Sequence, residues 1–203
     1  MATPNPSRST LLARSGRSSD ARGFSLIEVL VAVGLLATVS LGVAQLFAVA
    51  TDANASSKGQ TSTALLAVEK MEQLRSLTWG FDQSTAALGL PVSDTTTDVS
   101  LRDPAGGGHG LNPSPPGSLT ANVAGYVDYL DPNGLWVGNG GTPPANAFYV
   151  RRWAITPLPI NPNNTLVLQV RVMTVRQAAQ VSAAQGRVGN ESWLVSVKTR
   201  KAQ

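Results

Sequence analysis

Apolar and polar positions divide the chain into stretches with different periods. From Val29 to Ala50 the sequence reads VLVAVGLLATVSLGVAQLFAVA, 22 residues without a charge in which only Thr38, Ser40 and Gln45 are polar. At about 1.5 Å per residue this makes roughly 33 Å of helix, enough to cross a hydrocarbon core of about 30 Å. The apolar region of a secretory signal peptide covers only about 7–15 residues, so this run is too long for one. It continues into TDANASSKGQTSTALLAVEKMEQLRSLTW, where Leu65, Leu66, Val68, Met71, Leu74 and Leu77 recur at helical spacing. No proline occurs between Phe24 and Leu90. The pattern therefore predicts one helix from about Phe24 to about Leu77, apolar all round in its first half and amphipathic in its second.

After Trp79-Gly80 the helical period stops. Residues 81–118 are rich in Thr, Ser, Gly and Pro and read as a long surface connection. Alternation then returns: Leu119, Ala121, Val123, Val127 and Tyr129 would share one face of a strand, and Asp131-Pro132-Asn133-Gly134 is turn chemistry leading into Leu135-Trp136-Val137. Phe148 to Ile155, Leu166 to Val175 and Ser192 to Thr199 predict three further strands, with Asn161-Pro162-Asn163-Asn164 as a turn and Trp193, Val195 and Val197 on one face of the last. A sheet with one apolar face must bury it, and the helix stripe of Leu65, Val68, Met71 and Leu74 is available. The expected fold class is α+β, one long amino-terminal helix packed on a small antiparallel β-sheet.

Composition narrows the chemistry. The 203 residues allow about one domain, and only 14% are charged, where about 25% is usual, because the apolar residues are gathered into one run. Of the net charge of +4, most lies in Arg8, Arg14, Arg17 and Arg22, leaving the rest nearly neutral and strong nucleic-acid binding unexpected. The same arginines precede the apolar run, whereas the first cation after it is Lys58, with Asp52 before that. This asymmetry predicts a cytoplasmic amino terminus. With no cysteine and the single His109, disulfides, thiolate metal sites and most acid/base constellations are excluded, so no catalytic residue, metal or cofactor is expected. Other candidates reduce to ordinary structure. Asp128, Asp131 and Asn133 lack the glycine and distal glutamate of a calcium loop and read as a turn. Arg151 and Arg152 are adjacent on a strand, point to opposite faces and read as solvated. Trp79, Trp136, Trp153 and Trp193 read as core or interface residues. Gly106 to Gly110 has neither a Lys-Ser/Thr pair nor a following helix and is no phosphate loop.

One residue resists this reduction. Glu28 lies five residues inside the apolar segment that begins at Phe24, and a carboxylate there costs about 2.5–3.5 kcal/mol on insertion scales. It needs a cation, and the adjoining chain offers none on the lipid side. A cut after Gly23 would create one, the new ammonium of Phe24, within reach if a neighbouring copy is shifted along its axis. A glutamate snorkelling to the interface is the plain alternative.

The stretch Gly23-Phe24-Ser25-Leu26-Ile27-Glu28-Val29-Leu30-Val31-Ala32 resembles the cleavage and methylation motif of type IV pilins and type II secretion pseudopilins. The resemblance implies cleavage between Gly23 and Phe24 by a membrane prepilin peptidase, methylation of the Phe24 amine by the same enzyme, and pairing of Glu28 with the terminus of an adjacent subunit during assembly. The resulting expectation is a leader over 1–23, a transmembrane and assembly half-helix over 24–50, an amphipathic half over 51–79 and an extracytoplasmic sheet region over 80–203. The partners implied are the peptidase and other pilins or pseudopilins packed helix to helix. The location implied is the bacterial inner membrane, followed by a periplasmic or extracellular filament. The start, with Leu41-Gly42-Val43-Ala44-Gln45-Leu46 and Ala64 to Arg75, is most similar to V-type minor pilins. That points to a structural, non-enzymatic subunit priming or decorating a type IV pilus. The alternatives are a type II secretion or DNA-uptake pseudopilin, and a membrane-anchored binding domain or enzyme.

Overall fold

The computed structural model describes residues 23–80, 92–99, 108–181 and 189–200. The chain divides into two compact units, 1–49 and 50–203. Helix α1 runs Leu26–Ser76, as the proline-free sequence predicts. In the first unit it presents apolar side chains on every side, and it is long and apolar enough to cross a membrane. Its carboxyl end is closed by polar contacts. Arg75 stands in the last turn, where a cation complements the helix dipole, and the Ser76 hydroxyl donates to the Gln73 carbonyl at 2.8 Å. Just beyond, the Thr78 amide donates to Asp94 Oδ2 at 2.6 Å and the Asp94 amide to the Thr78 carbonyl at 2.8 Å.

The second unit contains five strands: β1 (Val127–Leu130), β2 (Trp136–Asn139), β3 (Tyr149–Pro157), β4 (Thr165–Thr174) and β5 (Ser192–Thr199). A short helix, α2 (Val175–Val181), follows β4. All pairings are antiparallel, in the order β2-β1-β3-β4-β5, giving the α+β pilin-like fold expected from the sequence. The β1–β2 turn is built by Asp131, whose Oδ1 accepts from the amides of Asn133 at 2.8 Å and Leu135 at 2.9 Å, with Gly134 at φ 80°. These bonds hold the exposed Asp131 carboxyl below its usual range.

The sheet is covered on both faces, which alternation alone did not foresee. Against the helix lie Trp153, Ile155, Leu166, Leu168, Val170 and Val172, packed with Ala67, Met71 and Leu74. On the opposite face Val127, Tyr129, Val150 and Met173 pack with Ala178 and Val181 of α2. The expected helix stripe is half right. Met71 and Leu74 are buried, but Leu65 and Val68 are 66% and 48% exposed, and the inward positions are Thr63, Ala67 and Lys70. The four expected residues span too wide an arc for one contact face, and the sheet takes the arc centred on Ala67 and Leu74.

Three other expectations are corrected. Residues 119–126 form turns rather than a strand, because Gly117 and Gly125 adopt φ of 84° and 81° and the amides of Thr120 and Ala121 both donate to the Gly117 carbonyl. Any Cβ at Gly125 would collide with His109, whose ring stacks on Tyr126 at 5.3 Å between centroids. The connection over 81–118 is not wholly superficial, since Val99 and Leu111 enter the helix-side core; residues 81–91 and 100–107 lie outside the described residues. Finally, Arg151 and Arg152 do point to opposite faces, but both are buried. The face of β5 carrying Trp193, Val195 and Val197 points outward, while Leu194 packs inward.

Arg151 belongs to an ionic cluster between helix and sheet. Its Nε and Nη2 donate to Asp128 at 2.8 and 2.9 Å, and Lys70 Nζ lies 2.7 Å from Asp128 Oδ2, with Lys70 and Asp128 fully buried. Glu69, half exposed, stands 3.3 Å from Arg151 Nη1, so two cations meet two anions. Lys70 also donates to the Val99 carbonyl and lies 4.4 Å from the centroid of the Trp153 ring. Two cations converge on one buried carboxylate. Removing that carboxylate leaves both charges out of water, so Asp128→Ala should destabilise the second unit by about 3–5 kcal/mol in urea titrations followed by tryptophan fluorescence. A loss below about 1 kcal/mol would contradict this role.

A pH dependence follows from the same cluster. Burial, opposed chiefly by Asp128, lowers the Lys70 ammonium to about 8. Because the folded state gives up this proton more readily than the unfolded chain, stability from this group should climb between about pH 8 and 10.5 and be flat below 8. Tyr126 and Tyr129, raised by burial, act in the opposite direction above about pH 10. Urea midpoints should therefore rise from about pH 8 to 10 in the wild type and not in Lys70→Met. Equal slopes in the two proteins would assign the titration elsewhere.

Candidate functional site: the amino-terminal segment of the long helix

Gly23, Phe24 and Glu28 come together in sequence at the start of α1. The Ser25 carbonyl accepts from the amides of Glu28 at 3.1 Å and Val29 at 3.2 Å, which sets the first turn and places Glu28 within it. An acid in the first turn is favourable to the helix dipole. Phe24 is 82% exposed, and with Glu28, Val29, Ala32, Val33 and Leu36 it lines a groove of about 410 Å³ along one helix face. Phe24 and Glu28 thus share a face, four residues apart.

Two features separate this segment from ordinary helix. Glu28 forms no ion pair among the described residues, and from Val29 to Ala50 the sequence holds no charged residue to offer it one. At Gly23 a Cβ would meet nothing within 4 Å, so no packing among the described residues requires glycine there. Chemically, the arrangement offers an accessible peptide bond before an aromatic residue and an unanswered carboxylate on the same face. Residues 1–22, which include the expected leader's arginines, lie outside the described residues.

The remaining candidates sit elsewhere and serve structure. Asp131 and Asn133 make the β1–β2 turn, whereas Asp128 meets Lys70 of α1 and Arg151 of the adjacent strand between helix and sheet. Trp153 is fully buried, Trp79 lies under the Arg200 guanidinium at 4.5 Å, and Trp193 is 37% exposed beside Arg171 at 5.6 Å. Among the described residues no group of three or more His, Cys, Asp or Glu is placed to hold a metal ion. The buried Lys70–Asp128–Arg151 cluster was not foreseen. Its signal was the spacing of Ala67, Lys70, Met71 and Leu74, which puts a lysine in the middle of the inward face.

Residues 18–44 match the family described as the prokaryotic N-terminal methylation motif. That stretch contains Gly23, Phe24 and Glu28, and together with the long helix and five-stranded sheet it supports a protein of the type IV pilin-like class. The apolar helix is consistent with membrane anchoring. No curated protein and no solved structure matches the chain.

The open space at Gly23 makes a sharp expectation. Gly23→Leu should leave membrane insertion and the circular dichroism of the purified chain as they are, since none of the described residues abuts that position, whereas a peptidase that cuts after Gly23, as the sequence leads one to expect, should fail on the variant. Normal cleavage of this variant, seen as a wild-type shift on a gel, would remove the processing role of Gly23.

Proposed function

We propose that the chain is a minor pilin, a structural subunit that primes or decorates a type IV pilus after a prepilin peptidase has processed it. The bond after Gly23 is cut, the new amine on Phe24 is methylated, and Glu28 pairs with the amino-terminal ammonium of an adjacent subunit while the apolar helices pack. The amino end is cytoplasmic before the cut, residues 24–50 span the inner membrane, and 80–203 form the extracytoplasmic region. The observation that carries this reading is the lone carboxylate in an apolar helix, directly downstream of a motif that would supply its counter-charge. Each half explains the other: the cut creates an ammonium, and the ammonium offsets the cost of the acid in lipid.

The two exits from this reading are chemically distinct. Mass spectrometry of the mature chain should find Phe24 as the first residue, bearing one added methyl group; a mature protein that retains Met1 to Gly23 would favour an ordinary anchored domain instead. Glu28→Ala removes an insertion penalty, so it should still insert and be cleaved, but it should enter filaments poorly because a neighbouring ammonium loses its partner. Incorporation at wild-type levels would rule out intersubunit pairing.

A further inference from the structure

On the sheet face away from α1, a cavity of about 510 Å³ opens between the loop at 120–122, strands β1 and β3, and helix α2. Arg152 of β3 lines it and is only 3% exposed. Unlike the other buried arginines it has no carboxylate partner among the described residues. Arg151 is answered by Asp128 and Arg171 by Glu191 at 2.7 Å, but the acceptors of Arg152 are all neutral. Its Nε and Nη2 donate to Asn122 Oδ1 at 3.0 and 2.8 Å, and its Nη1 donates to the Thr120 carbonyl at 2.8 Å. A guanidinium has five N–H donors, so two remain beyond these bonds. Arg171 is its cross-strand partner, placing a second cation rather than an anion beside it.

A buried cation without a counter-ion is costly, and neutral carbonyls recover only part of that cost. Loop anchoring explains the three bonds to Thr120 and Asn122. It does not explain why a cation is used next to an open cavity with no acidic side chain among its described lining residues. The rest of the described lining is uncharged: Val150, Val175, Ala178 and Pro143 form an apolar wall, and Tyr129 spends its hydroxyl on the Gly140 carbonyl at 2.9 Å. A few convergent polar groups on an otherwise apolar concavity of this size make a small-molecule site.

We propose that this cavity binds a small organic carboxylate with an apolar body, its carboxyl group on the free N–H donors of Arg152 and its carbon skeleton against Val150, Val175 and Ala178. The planar guanidinium fork suits a carboxylate, and the apolar wall disfavours a fully hydrated inorganic anion. Nothing in this assignment depends on the amino-terminal processing, so it stands whether or not the chain is a pilin.

Butyrate is a suitable probe, with butyramide as its uncharged counterpart and phosphate as an inorganic anion. Calorimetric titration of the full chain in detergent at constant ionic strength should give saturable binding of butyrate at millimolar concentration, and about tenfold weaker or no binding of butyramide and phosphate. Arg152→Gln should lose at least about tenfold in butyrate affinity. Because that variant also loosens the loop, Ala121→Phe serves as the second probe: position 121 is exposed, and the added ring would occupy the cavity while Arg152 stays in place. Wild-type binding of butyrate lost in Ala121→Phe supports the site. Absence of saturable butyrate binding to the wild type, equal binding of butyramide or phosphate, or unchanged butyrate affinity in Ala121→Phe would overturn it.

Discussion

A carboxylate in the first turn of an apolar helix, four residues after Phe24, is the constraint around which we propose the amino-terminal unit is organised. Glu28 has no ion pair among the described residues, and the 22 residues that follow it carry no charge. In lipid such a group is expensive, and it is retained in proteins when something outside the helix answers it. The proposed answer is a new ammonium at Phe24 on an adjacent subunit. On this account the uniform apolarity of the helix is part of the same device. It keeps competing cations away and leaves helix packing nonspecific enough that one charge pair can set the axial shift between neighbours.

The second unit treats charge differently. Lys70, Arg151 and Asp128 are also out of water, but each finds its partner inside the chain: Asp128 receives Arg151 in a bidentate pair and Lys70 at 2.7 Å, and the lysine gains the Trp153 face as well. Replacing such clusters with hydrophobic residues often leaves stability unchanged or raises it, so their value lies more in specifying one register than in net energy. Here the register is that of the helix stripe on the sheet. A slide of one residue along β1 would carry Asp128 to the opposite face and strand both cations. Arg152 follows neither pattern, because its charge is met only by neutral oxygens at the edge of a cavity.

Much of this was legible in the sequence, and the failures share a cause. The long helix, the turn at Asp131, and strands β3, β4 and β5 follow directly from period, proline placement and turn residues. Residues 119–126 alternate as a strand would, yet Gly117 and Gly125 at positive φ close them into turns, and alternation cannot report backbone sign. The helix stripe differs from the apolar pattern because angular position, not hydrophobicity, decides which residues face the sheet: Leu65 and Val68 are apolar yet outward, and a lysine whose ammonium finds Asp128, a carbonyl and an aromatic face can occupy an inward site. The burial of Arg151 and Arg152 was hidden for a related reason: the residues that enclose them, Glu69, Asp128, Thr120 and Asn122, come from distant parts of the chain. At the amino terminus the reverse holds. Gly23, Phe24 and Glu28 lie within six positions of one another, so the motif matched over residues 18–44 is carried by local sequence and needs no tertiary structure.

The central claim is that Glu28 meets the amino terminus of another subunit, and a contact map at that depth tests it most directly. A photo-crosslinking amino acid at Ile27, beside Glu28, activated in assembled filaments and analysed by mass spectrometry of the adducts, reports what lies there. The account predicts adducts to the first residues of a neighbouring pilin-like subunit, shifted along the helix axis. Adducts to lipid alone, or to the same position of a second helix without a shift, would contradict it.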